Sequence, residues 1–415
     1  MKIAIVGTGI SGLTCAYLLN HKHKITIFEK NNYVGGHTHT HSINNGSKII
    51  SIDSGFIVYN EKTYPNFIKL LDKLKVERQK TTMGFSVKSI NRNLEYAGNS
   101  INSLFAQRIN IIRPSFIKMI IEILIFNKKA NKDLSKLNLD ITLEEYLSNN
   151  NFSKTFINNY IIPMGAAIWS TKAESILKFP AKFFIQFFYN HSLLKIKHRS
   201  DWWVIKGGSK QYVNKLIKNF KNKIRLNTSV QYIRRTNGKI FIKNNATNKE
   251  ELFDAVIIAT HSDQGLKMLS DPSKDEREIL GAIQYQKNKT LLHTDSSLLP
   301  KRKLAWASWN YNLDHNLNKP VTLTYNMNIL QTLDELKTYC VSLNNIEKIN
   351  KNKILKKISY EHPLFTSLGI KSQKRKYKIN GINNTYYCGA YWYNGFHEDG
   401  VVSALDVCKY FGVSL

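Results

Sequence analysis

The sequence predicts an α/β fold in which a parallel sheet is interleaved with an α+β second domain. Three observations predict it. The chain opens as strand, glycine-rich turn, helix and strand, ending at Glu29. Strand text of the same buried kind returns at 254–260 and 385–390. The 415 residues exceed what one hydrophobic core usually holds.

The first unit carries the sharpest signal. Lys2–Val6 is apolar, Gly7-Thr8-Gly9-Ile10-Ser11-Gly12 follows, then an apolar helical run, then Ile25–Phe28 and Glu29. Gly7 permits a tight turn, Gly9 lets backbone approach a pyrophosphate, and Gly12 lets the helix pack on the sheet. The helix N-terminus offers partial positive charge to phosphates, and Glu29 stands where an acid accepts from ribose hydroxyls. A lone GxGxxG is weak. Between two apolar β runs, with the acid in place, it predicts a Rossmann-type dinucleotide-binding domain.

Gly35-Gly36 suggests a second loop against the phosphates, continued by His37 and Thr38. His37, His39 and His41 alternate and would share one strand face. Three such neighbours rarely close a tetrahedron, so no metal is expected and His37 is read as a cofactor contact. Ile49–Ile52 reads as a strand and Asp53-Ser54-Gly55 as a turn. Tyr64, Phe67, Leu70, Leu71 and Leu74 recur at helical spacing within 61–75. Gly84–Val87 is strand-like. Phe116–Phe126 is almost wholly apolar, a buried helix or one that dips into lipid, and its length favours core. Ile161–Ser170 joins two helical stretches. Phe183, Phe184, Phe187 and Phe188 read as core, as the wall of a greasy tunnel or as membrane contact.

Nucleotide-type text returns with Trp203–Ile205, Gly207-Gly208-Ser209 and a helix through Tyr212 and Phe220. Ile224–Leu226 and Val230–Ile233 read as strands, and Asp254–Thr260 as a buried parallel strand. Further strands are expected at Thr290–Leu292 and Thr322–Tyr325. Thr385–Ala390 is strand and turn, and Gly395–Gly400 opens a last helix, Val401–Tyr410. Residues 1–75, 205–265 and 380–415 are therefore expected to form one discontinuous cofactor domain. Residues 76–204 and 266–379 should close over it as a substrate domain.

Lys and Arg number 60 against 30 Asp and Glu, a net charge of +30. The excess suggests an anionic partner or, because Lys, Asn and Ile are abundant throughout, compositional bias. No nucleic-acid motif accompanies it, so nucleic acid is not expected. Cys15, Cys340, Cys388 and Cys408 are scattered without CxxC, as in a reducing compartment. No signal peptide precedes the first strand and no apolar window spans a membrane. A cytoplasmic protein is expected, with peripheral docking on the inner face of an anionic membrane as one use of the charge.

The GxGxxG-to-Glu29 unit, Gly35-Gly36, Gly207-Gly208-Ser209, the Val256–Thr260 strand and the glycine-containing C-terminal motif resemble the flavin-containing amine oxidase superfamily. That superfamily includes monoamine oxidase, protoporphyrinogen oxidase and phytoene desaturase, and the resemblance covers essentially the whole chain. Gly36-His37-Thr38, Pro163–Ser170, Trp306–Tyr311 and Gly395–Gly400 are similar to a bacterial branch of FAD-dependent oxidoreductases. Some of its members are associated with cyclopropane-fatty-acid-synthase-like methyltransferases, and at least one is linked to desaturating methylated membrane acyl chains.

The resemblance implies FAD rather than NAD, and noncovalent attachment is expected because no cysteine matches the one that carries flavin in some relatives. Gly7, Gly9, Ser11 and Gly12 would hold the pyrophosphate, Glu29 the adenosine ribose, and Val230 the adenine through its backbone. Gly35, Gly36, His37 and Thr38 would extend the phosphate side. Gly389, Glu398, Asp399 and Val401 would lie along the flavin, where a positive helix end favours the reduced anion. The pattern departs from the superfamily at His37, where arginine is usual, and at Gly389-Ala390, where Gly-Asp is common. Cys388 sits inside a strand rather than where some relatives bind flavin covalently. Lys287 and Lys289 fall in the region of a lysine that many amine oxidases hold near the flavin.

The activity so implied is FAD-dependent removal of hydride from a hydrophobic substrate, with desaturation of a methylated membrane acyl chain as one form. The second hydrogen leaves as a proton, which needs a base. His397, His293 and Tyr393 are the candidates. Two alternatives stand beside it: an amine oxidase acting on a soluble amine, with Trp392 and Tyr393 as an aromatic cage, and a non-catalytic flavin-binding partner of a lipid-modifying enzyme.

Overall fold

Alternation along the first strand decides the layering. Ile3 and Ile5 point to one face, Ala4 and Val6 to the other, and all four are buried. A strand covered on both faces needs a continuous apolar run, which is what Lys2–Val6 supplies. In this computed structural model, which describes residues 1–89, 91–195, 200–247, 249–313, 322–344 and 346–415, that strand is the centre of a five-stranded parallel sheet. Lys24–Phe28 and Ala255–Ile258 flank it, with Ile224–Arg225 and Thr385–Tyr387 at the edges.

Helices Ile10–Leu19, Pro65–Lys73, Lys210–Leu216 and His397–Lys409 cover the Ile3–Ile5 face. A three-stranded antiparallel sheet (Val230–Thr236, Lys239–Asn244, Glu251–Phe253) covers the other through Ile233, Ile240 and Ile242. The strand expected at Val230–Ile233 is thus the first of this small meander.

A seven-stranded mixed sheet forms the second centre, in the order Ile354–Leu364, Gln284–His293, Cys340–Leu343, Leu323–Asn326, Trp309–Asn312, Phe85–Ser89, Leu94–Ala97. Its one parallel pairing joins Trp309–Asn312 to Phe85–Ser89. Helices between 114 and 190 pack over it around Phe126, Phe156, Phe184 and Phe188.

Three local expectations change. The strand expected at Thr290–Leu292 runs the full Gln284–His293, because its whole length pairs with Ile354–Leu364. The last helix begins at His397, not Val401: the Asp399 carboxylate accepts from the N–H groups of Phe396 (2.8 Å) and Asn394 (3.2 Å), which starts the helix one turn earlier. Ile161–Ser170 is not a joint but a helix, Ile162–Trp169, entered through a π-turn at Ile157–Ile161. Pro163 follows directly on that π-turn, whose wider hydrogen-bond spacing accommodates the N–H that proline lacks.

Candidate active site

The turns that follow the parallel strands open into a cavity of about 1270 Å³. One end is the groove that the glycine motif builds. Gly7 has φ 105°, and a Cβ there would stand 2.8 Å from the Ala259 carbonyl oxygen. A Cβ on Gly12 would lie 2.1 Å from the Gly7 carbonyl oxygen, so only glycine lets the helix start against the turn. Gly9 meets nothing within 4 Å on its open side, and a side chain there would fill the groove itself. Gly36 packs against the Gly9 backbone, bringing the second glycine loop to the first.

Glu29 is buried in the same wall. Its carboxylate accepts from the Thr8 N–H (3.1 Å), the Thr8 hydroxyl (2.5 Å) and the Asn31 N–H (2.8 Å). Gly400 brings the last helix onto Ile10 and Ser11, where a Cβ would lie 2.6 Å from Ile10 Cγ2. Two helix N-termini therefore converge on one end of the groove, each with free N–H donors in its first turn.

Most residues expected at the cofactor are in the cavity wall: Gly7, Gly9, Ser11, Glu29, Gly35, Gly36, His37, Val230 and Gly389. Gly12 stands behind the wall and shapes it. Thr38 also stands behind it, its hydroxyl hydrogen-bonded to Tyr212 (2.5 Å) and His397 (3.2 Å). Three expected side chains turn elsewhere. Glu398 accepts from the Asn66 and Phe67 N–H groups and caps Pro65–Lys73. Asp399 caps its own helix, and burial pushes its carboxyl up to about 7. Val401 is wholly buried in the core.

Beyond the groove the cavity becomes an apolar chamber. Met83, Phe85, Met164, Trp169, Phe187, Trp309, Tyr325 and Phe365 wall it. Two of the long motifs build it through different residues. In Pro163–Ser170, Gly165 meets Phe184 and Ile176 so closely that a Cβ would stand 2.8 Å from Phe184 Cε2, which lets two helices touch. Ser170 then ends its helix at φ 50°, and its carbonyl accepts from Gln286 Nε2 (3.1 Å) and Asn288 Nδ2 (3.0 Å). In Trp306–Tyr311, Ser308 and Asn310 fasten strands: Ser308 Oγ accepts from the Gly84 N–H (2.8 Å), and Asn310 Nδ2 donates to the carbonyls of Ala307 and Thr324. Of that motif, Trp309 alone reaches the cavity wall. Phe187 lines the chamber, whereas Phe184 and Phe188 are fully buried core.

The catalytic candidates separate. His397 lines the cavity, stacked on Phe56 at 3.6 Å and hydrogen-bonded to the Tyr212 hydroxyl (2.7 Å). Burial holds it well below the ordinary imidazole range, so it is neutral. His293 is not at the site. It is 0% exposed inside the seven-stranded sheet, bonded to Ser342 (2.8 Å) and to the Asp295 N–H (3.1 Å). Tyr393 is not at the site either: its hydroxyl donates to Asp406 (2.5 Å) and accepts from Lys376 (2.6 Å), outside the cavity wall. Trp392 is core, its indole N–H on the Tyr387 carbonyl, so the proposed aromatic cage does not form. Lys287 is 81% exposed and pairs with Glu361 at 3.8 Å, on the outer side of its strand.

Sequence reasoning missed two histidines. His261 and His362 line the cavity beside His37, with ring centroids 6.1 and 5.5 Å from it. Burial, then mutual repulsion with its neighbours, pushes His37 down to about 4, and burial takes His362 to about 3. His261 also falls to about 4, chiefly through burial. Asn288 donates to His362 Nδ1 (2.8 Å) and fixes that ring. No local pattern marks residues 261 and 362, because strand pairing alone brings them to position 37. Asp53 was read as a turn residue and is a buried clamp. Its carboxylate accepts from the Ser209 N–H and hydroxyl, from Thr40 and from Gln331, and burial raises it to about 6.

A glycine-cradled groove with a buried acid, opening into an apolar chamber, is the arrangement of a dinucleotide-dependent oxidoreductase. The chain belongs to the flavin-containing amine oxidoreductase family, whose model matches residues 10–313. Curated protein sequences contain no match to it. Solved structures share the fold at low identity. A CLA-producing fatty acid isomerase from P. acnes is 15% identical with TM-score 0.69, covering 99% of this chain and 98% of its own. Cyclohexylamine oxidase from Brevibacterium oxydans IH-35A is 11% identical with TM-score 0.70, covering 99% of both chains. Putrescine oxidase bound to putrescine is 12% identical with TM-score 0.67, again over 99% of both.

The cofactor is FAD, and the groove fits it: glycine backbone for the pyrophosphate, Glu29 for the ribose. Bound there, FAD supplies a hydride acceptor. Among the described residues no cysteine lines the cavity, and Cys15, Cys388 and Cys408 are all buried. Among the described residues no helix is long and apolar enough to cross a membrane.

Proposed function

We propose that the chain oxidises a carbon centre of a long apolar substrate, a fatty acyl chain fitting best. The observation that carries this reading is the chamber. Among its described lining residues the carboxylates are Glu29, at the nucleotide end, and Glu361, which faces His261 at 3.5 Å and Lys287. The aromatic and aliphatic walls of Met83, Phe85, Met164, Trp169, Phe187, Trp309 and Phe365 carry no acid of their own, and alkyl chain burial there gains about 0.8 kcal/mol per methylene. His37, His261 and His362 line the same cavity as neutral imidazoles, and because burial disfavours their charged forms the departing proton would pass through them to solvent rather than rest on one of them.

Amine oxidation is the second reading, favoured by the family and by the perpendicular Trp309–Tyr325 ring pair in the wall. One experiment decides between them. Purified holoprotein is mixed anaerobically with phospholipids bearing plain or methyl-branched acyl chains, and in parallel with a panel of amines. Bleaching of the visible flavin absorbance by the lipids is expected. Bleaching by amines alone would establish the second reading instead.

A further inference from the structure

The helix at Pro114–Asp133, read from its sequence as buried core or as dipping into lipid, is buried on one side only. One face buries Phe116, Met119, Phe126 and Ala130 against the helical core. The other leaves Ile121 and Ile125 each 50% exposed and Leu124 46% exposed. The segment leading into it does the same: Ile101 is 79%, Ile109 47%, Ile111 52% and Ile112 74% exposed. Scattered surface apolar residues need no explanation, but these seven fall within one stretch of 25 residues. Arg108 ties the stretch together by donating to the Asn102 side chain (2.7 Å) and to the Phe105 carbonyl (2.9 Å).

The charge along this stretch is mostly positive, and the acid that ends the helix, Asp133, pairs with Lys129 at 3.7 Å. Between 101 and 132 the chain carries Arg108, Arg113, Lys118, Lys128, Lys129 and Lys132, and Glu122 is the sole acid. Glu122 is buried and committed to the Ser153 N–H (2.9 Å) and hydroxyl. Lys118, Lys128 and Lys132 make no ion pair among the described residues. On the helix, Lys118, Ile121, Ile125, Lys128 and Lys132 follow one another at helical spacing along the exposed side. Protein interfaces are enriched in aromatic residues and depleted in lysine. Exposed aliphatic side chains rimmed by lysine and arginine instead match the acyl boundary and headgroups of an anionic bilayer.

We infer that the face formed by residues 101–132 docks on an anionic phospholipid bilayer, with Ile109, Ile111, Ile112, Ile121 and Ile125 entering the acyl boundary. The cavity wall residues Tyr96, Gly98 and Asn99 run directly into Ile101, so the docked face adjoins the chamber. The inference does not depend on what the active site oxidises.

Vesicle flotation of the full-length holoprotein tests it, with vesicles of phosphatidylcholine alone and of phosphatidylcholine mixed with phosphatidylglycerol. Binding to the mixed vesicles is expected, with little to phosphatidylcholine, and it should weaken in high salt. The double variant Ile112→Asp with Ile125→Asp should bind about a hundredfold more weakly. Leu336→Asp, also at an exposed leucine but outside the face, should bind like the parent. Visible flavin absorbance confirms that each variant is folded. Equal binding to both vesicle types, no binding, or a double variant that binds normally would overturn the inference. So would a dimer in gel filtration that the double variant disrupts, since a second copy would then cover this face.

Discussion

Along the nucleotide groove, shape comes from side chains that are absent. Gly7, Gly9, Gly12 and Gly36 each allow a close approach or an open lane that a single Cβ would block. Along the apolar chamber, shape comes from side chains that are present: Phe85, Trp169, Phe187, Trp309 and Phe365 arrive from five separate segments. The groove is a local product of backbone geometry. The chamber is a tertiary product, assembled where the seven-stranded sheet meets the helices between 114 and 190. Damage to the first should remove the cofactor, and damage to the second should spare the cofactor and alter what is oxidised.

Gly12→Ala gives the largest expected effect. Its new Cβ would stand 2.1 Å from the Gly7 carbonyl oxygen and 3.1 Å from the Ala259 Cβ, and backbone must move to admit it. The purified variant should retain no flavin, read as the visible absorbance per chain. Normal flavin content would show that the groove tolerates widening and that its fit is looser than the glycines imply.

Trp309→Ala comes next. Trp309 lines the chamber and packs at 5.6 Å on Tyr325, on a strand held by Asn310 rather than by the indole. Its loss should leave flavin content unchanged and slow flavin reduction by substrate about 10- to 100-fold, as expected for roughly 2 kcal/mol of lost packing and positioning. Loss of flavin from this variant would erase the division between the two regions.

The same contrast explains what could be read from the amino-acid sequence. The five parallel strands, the glycine turn and Glu29 were legible because each depends on neighbours within a few residues, and apolar runs bounded by glycine carry that information. The chamber was half legible. Pro163–Ser170 and Trp306–Tyr311 stood out as motifs, but which of their residues face the cavity depends on hydrogen bonds to Gln286, Asn288 and Gly84 from distant strands. His261 and His362 were invisible for the same reason. His293 and Tyr393 misled, since a polar residue within a strand or beside a glycine looks alike whether it faces a cavity or a satisfied core. Phe116–Phe126 showed apolar content without showing that the helix would bury one side of it only.

The smallest expected effect tests that last distinction at Tyr393. Its hydroxyl belongs to a three-membered group with Lys376 and Asp406, in which the lysine also pairs with the carboxylate at 2.6 Å. Burial, then the Asp406 carboxylate, raises the phenol above its ordinary range, so it stays protonated and has no proton-accepting form near neutral pH. Tyr393→Phe removes two hydrogen bonds to charged partners, Asp406 and Lys376, while Lys376 and Asp406 keep each other and compensate in part. The melting transition should shift by about 1 kcal/mol of stability, and flavin content and the rate of flavin reduction should stay at the parent values. A reduction rate that fell tenfold with the melting transition unchanged would place the Tyr393 hydroxyl at the reacting carbon, and the wall of the chamber would then have to open toward the last helix.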